Sequence, residues 1–405
     1  MYQYQIIPAE KAIKILRKTI AQLLDYCNKT NWGGYDPFDG LNSKIIRFLP
    51  FLDNRAGRLI IIQGMKRSPV NLRPLFLVPR EQNPKGIALF ISALVRLAKL
   101  HLDDDKKILK NLIEALVALK SPDKQYFCWG YNFKWQSRYF LSPKYEPNII
   151  STSFAGNALL EAFDFYGDQY YLDMALSAGN FILNRLNIIN NGHEICFSYT
   201  EQDNSQVHNA NLVGASFLAR LYCTTRQENL LHYSLSAARF SANRQNKDGS
   251  WFYGEEVSQK WIDNFHTGYN LCALLSINKY TGSSEFESHL RHGFQFYSSH
   301  FFREDGRPKY RHNRTYPIDI HCVAQSIITL VTLKQLCDDS INQALTVFSW
   351  TMAHMHDKQG YFYYQVFPCY KNKISYIRWS QAWMLLALVT LLEEISTTLD
   401  NLSHV

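Results

Sequence analysis

Asn211-Leu-Val-Gly214-Ala-Ser-Phe-Leu218 and His266-Thr-Gly268-Tyr-Asn-Leu271 open two helical runs in the same manner. Each has a small residue in its first turns, followed by apolar residues at three- and four-residue steps. The same opening occurs at Thr152-Ser-Phe-Ala-Gly156, His321-Cys-Val-Ala324 and Trp379-Ser-Gln-Ala382. The anchors at 156, 214, 268, 324 and 382 lie 58, 54, 56 and 58 residues apart. Gly86, in Gly86-Ile-Ala-Leu-Phe-Ile, is a sixth candidate 70 residues before the first. A period of this length marks a stacked supersecondary unit.

After each opening comes a second amphipathic stretch, as at Asp168 to Leu176, Arg226 to Ala242, Ser283 to Ser299 and Ser340 to Met355. A turn rich in Gly and aromatics follows: Cys128-Trp129-Gly130-Tyr131, Gly249-Ser-Trp251-Phe-Tyr253, Gly306-Arg-Pro-Lys-Tyr310 and Gly360-Tyr361-Phe-Tyr-Tyr364. Such turns predict short extended segments at one rim. Helix hairpins of this size cannot bury their faces alone, and small anchors let neighbouring helices approach closely. The pattern predicts an all-α fold, an (α/α) toroid of six hairpins, with seven as the alternative. The helix over 9–28 is expected to be the outer partner of the last inner helix, 376–396. Residues 1–84 are the least regular part of what reads as one domain over 1–405, because no linker or charged block divides the chain.

Hydrophobic residues make up 46% of the 405 and charged residues 19%, enough apolar material for a large core and too much for disorder. The net charge is +8, with no run of five like charges, so a nucleic-acid stripe is not expected. A mild positive field suits an anionic ligand such as a uronic acid or sugar phosphate. None of the eight cysteines forms a C-x-x-C pair, and they read as buried free thiols in a reducing, cytoplasmic compartment. Charges at Glu10, Lys11, Lys14, Arg17 and Lys18 argue against a signal peptide, and no stretch approaches 18 uninterrupted apolar residues, so no membrane span is expected.

In a ring of hairpins the inner helices aim their N-termini at one mouth. Five positions before the anchors stand Ser151, Asn209, Asp263, Asp319 and Ile377; three before stand Ser153, Asn211, Phe265, His321 and Trp379. Ser, Asn and Asp there are expected as helix caps. Asp263 with His266, and Asp319 with His321, also supply paired carboxylates and imidazoles for acid/base chemistry. These four are the candidate catalytic residues. His208, Asn209, Asn211, Trp251, Tyr253, Glu255, Tyr310, Arg378, Trp379 and Gln381 are the candidate substrate-binding residues, with Trp129 and Tyr364 as further members of a stacking wall. No cofactor is expected. A metal at Asp319-Ile-His321-Cys322 is not expected either, since adjacent helical side chains diverge.

Gln245-Asn-Lys-Asp-Gly249-Ser-Trp251 resembles the Gln–Trp turn of squalene cyclases and prenyltransferase β-subunits, which implies a related toroid; the acidic motif of the cyclases is missing. Gly34-Tyr-Asp36-Pro-Phe-Asp39-Gly-Leu-Asn-Ser43, Val207-His-Asn-Ala-Asn211, Trp261-Ile-Asp-Asn-Phe-His-Thr-Gly268, Tyr316-Pro-Ile-Asp-Ile-His321 and Arg378-Trp-Ser-Gln-Ala-Trp383 resemble a bacterial family found with capsule and exopolysaccharide genes. That family lies within the six-hairpin glycosidase-like superfamily, alongside unsaturated glucuronyl hydrolases and acylglucosamine epimerases. None of their catalytic motifs carries over residue by residue. The resemblance implies a carbohydrate-active enzyme of surface-polysaccharide metabolism, acting on a sugar or acidic oligosaccharide as hydrolase, lyase or epimerase. A non-catalytic sugar-binding or scaffold protein that meets polysaccharide-assembly partners is the alternative. A prenyl or terpenoid enzyme would instead require a deep apolar cavity with a metal or diphosphate.

Overall fold

The computed structural model describes residues 8–102, 106–122, 125–136 and 141–403. Its helices are α1 (Ala9–Lys29), α2 (Arg55–Arg67), α3 (Pro84–Lys99), α4 (Lys106–Ala118), α5 (Ile149–Tyr166), α6 (Gln169–Arg185), α7 (His208–Thr225), α8 (Glu228–Ala242), α9 (Asn264–Thr281), α10 (Glu287–His300), α11 (Ile320–Thr332), α12 (Ser340–His354) and α13 (Trp383–Ser403). Helices α3, α5, α7, α9, α11 and α13 pack in sequence, and α13 closes back on α3. Each inner helix carries one outer partner, with α1 serving α13. The ring therefore has six hairpins, closed by helices from the two ends of the chain, and α2 belongs to none of them.

The small anchors do what their size allows. A Cβ at Gly156 would run into the Phe217 ring of α7, one at Gly214 into Ile149 of α5, and one at Gly268 into Gln325 and Thr329 of α11. Inner helices are buried on nearly every face, which is why their apolar residues run almost all round. Ile377–Leu399 is long and apolar enough to cross a membrane by composition, but 61% of its apolar window is buried inside the ring.

Two repeated hydrogen bonds explain the aromatic turns. Trp129 and Trp251 donate their indole N–H to the carbonyls of Leu116 and Ser241, in the last turns of α4 and α8, satisfying acceptors that a helix end leaves open. At the same rim, the first N–H of an inner helix, or for α13 of the π-turn Ile377–Ala382 that leads into it, donates to a tyrosine carbonyl: Ile149 to Tyr199, His208 to Tyr253, Asn264 to Tyr310, Ile320 to Tyr364 and Ile377 to Tyr35, all at 3.0–3.1 Å. The sixth inner helix begins with Pro84, which has no N–H to donate. Gly249, Gly306 and Gly360 share φ of 84–90°, a left-handed conformation open to glycine, so the same tight turn recurs. Short strands join this rim, including β1 (Ile318–Asp319) antiparallel to β2 (Gln365–Val366).

The capping expectation holds in part. Asp263 and Asp319 cap α9 and α11, accepting from the backbone N–H of His266 and His321. Ser151 and Asn209 do not cap: α5 and α7 begin two residues or one residue earlier, after Asn148 and Val207, so both side chains sit inside the first helical turn. All eight cysteines are free thiols; four are buried, but Cys337 and Cys369 are exposed, against the expectation for them.

Candidate active site

At the mouth where the inner helices start lies a chamber of about 250 Å³, walled by Tyr131, Tyr199, Asn209, Tyr253, Trp261, Phe265, His266, Tyr269, Tyr310, His321, Arg378 and Trp379, with Lys66 and Lys85. It shares Phe38, Trp135, Tyr199, Tyr253 and Trp261 with an outer vestibule of about 530 Å³. Ligand sites typically occupy roughly 300–1,000 Å³. A smaller hollow deeper along the same helices shares Tyr269 with the chamber.

His266 is the most clearly prepared group. Asp263 accepts from the His266 backbone N–H at 2.9 Å with one oxygen and contacts His266 Nδ1 at 2.7 Å with the other. A carboxylate only accepts, so Nδ1 carries the proton and a neutral His266 keeps its lone pair on Nε2. Nε2 makes no hydrogen bond among the described residues, and the ring lies in the chamber wall against Tyr253 and Phe265. Tyr253 and Trp261 stack at 4.3 Å and 10°, a flat platform beside the imidazole.

His321 is buried among Phe265, Trp379 and Trp383. Its Nε2 pairs with the Tyr269 hydroxyl, and Nδ1 has no partner among the described residues. Burial, reinforced by Lys85, Arg378 and His266, holds its pKa well below the usual histidine range, so the ring is neutral. Asp319 lies behind it, fully buried, accepting from Gln365 Nε2 at 2.7 Å and from His321 N and Trp379 Nε1 at 2.9 Å. Burial pushes the Asp319 carboxyl up, and these donors oppose that shift. The four expected catalytic residues thus converge, with imidazoles at the chamber and carboxylates spent behind them on caps and orientation.

Arg378 lines the chamber but is not free to clamp a ligand with both arms. Its Nε and Nη2 form a bidentate pair with Asp36 at 2.6 and 2.8 Å. Asp36 comes from the Gly34–Ser43 segment, which is tied down a second time by Arg73 to Asp39 at 2.5 Å. Burial pushes the Asp39 carboxyl up to about 7 against the pull of Arg73.

Two amines escaped the sequence reading. Lys85, one residue before the sixth anchor, is 3% exposed; its Nζ stands over Phe154, Trp383 and Tyr269 at 4.5–5.4 Å. Lys66, from α2, stands 4.2 Å over Phe38. Neither ammonium group makes a hydrogen bond or ion pair among the described residues. Burial lowers both pKa values, that of Lys66 to about 8. A lysine beside the Gly86 anchor was legible as a first-turn residue of an inner helix; nothing in the local sequence of α2 aims Lys66 inward. Tyr131, Tyr199, Trp261 and Tyr269 were likewise unread, although Tyr199 occupies the register of Tyr253 and Tyr310.

Asn209, freed from capping, lies in the wall with an Oδ1 that has no partner among the described residues, and Tyr253, Tyr310 and Trp379 also line the chamber. The remaining candidates are structural. His208 pairs with Glu255 at 2.9 Å and faces Ser241, fixing the 250s loop to α7. Asn211 ties α7 to the Phe197 N–H and the Ala237 carbonyl, while Gln381 brackets the Phe362 backbone from both sides. Trp129 and Trp251 serve as helix-end donors, and Tyr364 packs against Tyr376 in the core. The polar side-chain atoms of Asn211, Gln381, Trp129 and Trp251 satisfy backbone groups that burial would otherwise leave unpaired, so they are not available to a ligand. Among the described residues no group of three His, Cys, Asp or Glu side chains is placed to hold a metal ion.

No family model matches the sequence, and no curated protein does. Among solved structures, the chain is similar to a cellobiose 2-epimerase from Spirochaeta thermophila, with a TM-score of 0.61 at 14% identity over 78% of this chain and 87% of that one. It is similar to a sugar epimerase from a ruminal bacterium, at 0.62 and 11% over 93% and 98%. An α-mannanase from Bacteroides thetaiotaomicron aligns at 0.59 and 12% over 78% and 86%. At these identities the likeness establishes the architecture. The chain has the (α/α)6 toroid fold, a ring of six helix hairpins.

Proposed function

We propose that this protein is a carbohydrate-active enzyme that moves a proton on a sugar carbon, with His266 as the base and His321 as its counterpart across the chamber. The observation that carries this reading is the pairing of a carboxylate-oriented imidazole with a second, neutral imidazole in one aromatic-walled cavity. Glycoside hydrolysis uses two carboxyl groups flanking the bond. Here Asp36, Asp263 and Asp319 stand behind the wall, all engaged by protein donors, and no described carboxylate lines the chamber. Imidazole chemistry therefore fits better than hydrolysis.

In the step proposed, His266 Nε2 takes the proton from a carbon next to a carbonyl of the substrate. The C–H electron pair forms the enolate double bond, and the carbonyl pair moves to oxygen, where a hydroxyl or ammonium donor meets it. Return of a proton to the opposite face inverts the carbon, and return to the neighbouring carbon isomerises the sugar. The stacked Tyr253 and Trp261 offer a face for sugar C–H groups. Lys66 and Lys85, without carboxylate partners among the described residues, suit an acidic substituent. The epimerases and the isomerase among the similar structures are in keeping with this reading.

The terpenoid alternative suits the chamber poorly, because two amines, an arginine and two imidazoles share its wall. The resemblance to capsule-cluster proteins and the free thiols support a cytoplasmic role in surface-polysaccharide metabolism. A change in surface sugar composition on deleting the gene would test that setting. The reaction is tested by incubating the protein in D2O with neutral and uronic-acid sugars. Exchange of one ring-carbon proton, followed by NMR, is expected; new reducing ends without exchange would show hydrolysis, and saturable binding without either would show a non-catalytic binder.

A further inference from the structure

The net charge of +8 is not spread over the chain. Residues 44–80 contain Lys44, Arg47, Arg55, Arg58, Lys66, Arg67, Arg73 and Arg80 against Asp53 alone, a net of +7. The other 368 residues are close to neutral. The same 37 residues hold seven of the large hydrophobic side chains that stand in solvent: Ile45, Phe48, Phe51, Ile60, Val70, Leu75 and Leu77. Phe48, Phe51, Ile60 and Leu75 are 71–76% exposed. Isolated exposed apolar residues are ordinary, but a cluster of this kind marks a contact surface.

The segment is one tied lobe. Ser43 Oγ donates to the Phe76 carbonyl and the Lys44 N–H to the Leu77 carbonyl, holding residues 43–48 beside 76–77. The tight turns Ile46–Phe48 and Pro50–Leu52 follow, and Asn54 closes onto α2 by capping Gly57 while donating to the Phe51 carbonyl. On α2, Gly57, Ile62 and Met65 face inward, Lys66 reaches the chamber, Leu59, Gln63 and Arg67 wall the vestibule, and Ile60 stands out to solvent. Exposed bases, Lys44, Arg47, Arg55, Arg67 and Arg80, alternate with the apolar tips, and the only exposed acid is Asp53.

We propose that this lobe docks the enzyme on the surface of an anionic lipid bilayer. The bases would meet lipid phosphates while the Phe, Leu and Ile tips enter the boundary between headgroups and chains. Charge complementarity selects this occupant: a protein partner would have to present a strongly acidic yet apolar face, whereas an anionic bilayer offers both properties at every point. Because α2 walls the vestibule, docking sets the mouth of the site beside the membrane. The contact is peripheral and independent of the chemistry proposed for the chamber.

The test is flotation of the full chain with vesicles of phosphatidylcholine alone or mixed with phosphatidylglycerol. Binding is expected only with the anionic lipid and should weaken steeply as salt is raised, since the attraction is screened. Arg47→Glu with Arg55→Glu, and separately Phe48→Ser with Phe51→Ser, should each reduce it about tenfold or more. All four side chains are exposed, and the salt titration needs no variant. Equal binding to both vesicle types, no binding to either, or a concentration-dependent dimer that the Phe48→Ser/Phe51→Ser variant dissociates would overturn the proposal. Sugar proton exchange measured without vesicles reports on the chamber alone, so the two readings fail separately.

Discussion

The first turns of α9 and α11 begin alike and end differently. Both open on an Asp cap followed within one turn by a histidine, but the spacing is three residues in α9 and two in α11. At three, the imidazole lies back over the cap and takes the second carboxylate oxygen, leaving Nε2 for the chamber. At two, the ring projects sideways into Tyr269 and the tryptophans, and the carboxylate is left to orient Trp379 and Gln365. One residue of spacing therefore separates a carboxylate that directs a base from one that anchors a wall.

The sharpest way to break this contrast is His266→Gln. It should lower kcat by about 10²–10⁴, the range for losing a general base, with the melting temperature nearly unchanged. Steady-state turnover equal to the parent protein would remove His266 from the mechanism. Next come matched substitutions of the two caps. Asp263→Asn keeps a good cap, so stability should move by only a few tenths of a kcal/mol. Its amide donates to Nδ1 and moves the proton to Nε2, costing roughly 10²–10⁴ in kcat. Asp319→Asn presents an N–H to a donor already there, and should destabilise by about 1–3 kcal/mol in chemical denaturation. Loss of stability at Asp263 with retained activity, and the reverse at Asp319, would invert the comparison.

The smallest effect concerns the amines. Burial holds Lys66 near 8, below its ordinary value, so the ammonium that attracts an anion is present below pH 8 and lost above it. Affinity for an acidic sugar should fall by up to about tenfold per pH unit above 8, while a neutral sugar stays level. Lys66→Met should flatten that slope in a calorimetric titration. For Lys85, held well below its usual pKa, binding of an acidic ligand should take up a proton, seen as a buffer-dependent binding enthalpy.

Sequence alone determined the ring. The small residues at 156, 214 and 268 are legible because helices can close up only where no side chain intervenes, and they recur at the pitch of the hairpin. It also placed Asp263, His266, Asp319 and His321 at one mouth, since a repeated unit puts equivalent positions at equivalent places. Tertiary structure alone decided which of them face the chamber with a free atom. Asn211, Gln381 and Trp251 looked like binders and are satisfied by backbone groups from distant segments, while Lys66 arrives on a helix outside the repeat. Hydrogen-bond saturation is a property of all the neighbours of an atom, and those neighbours are set by chain closure.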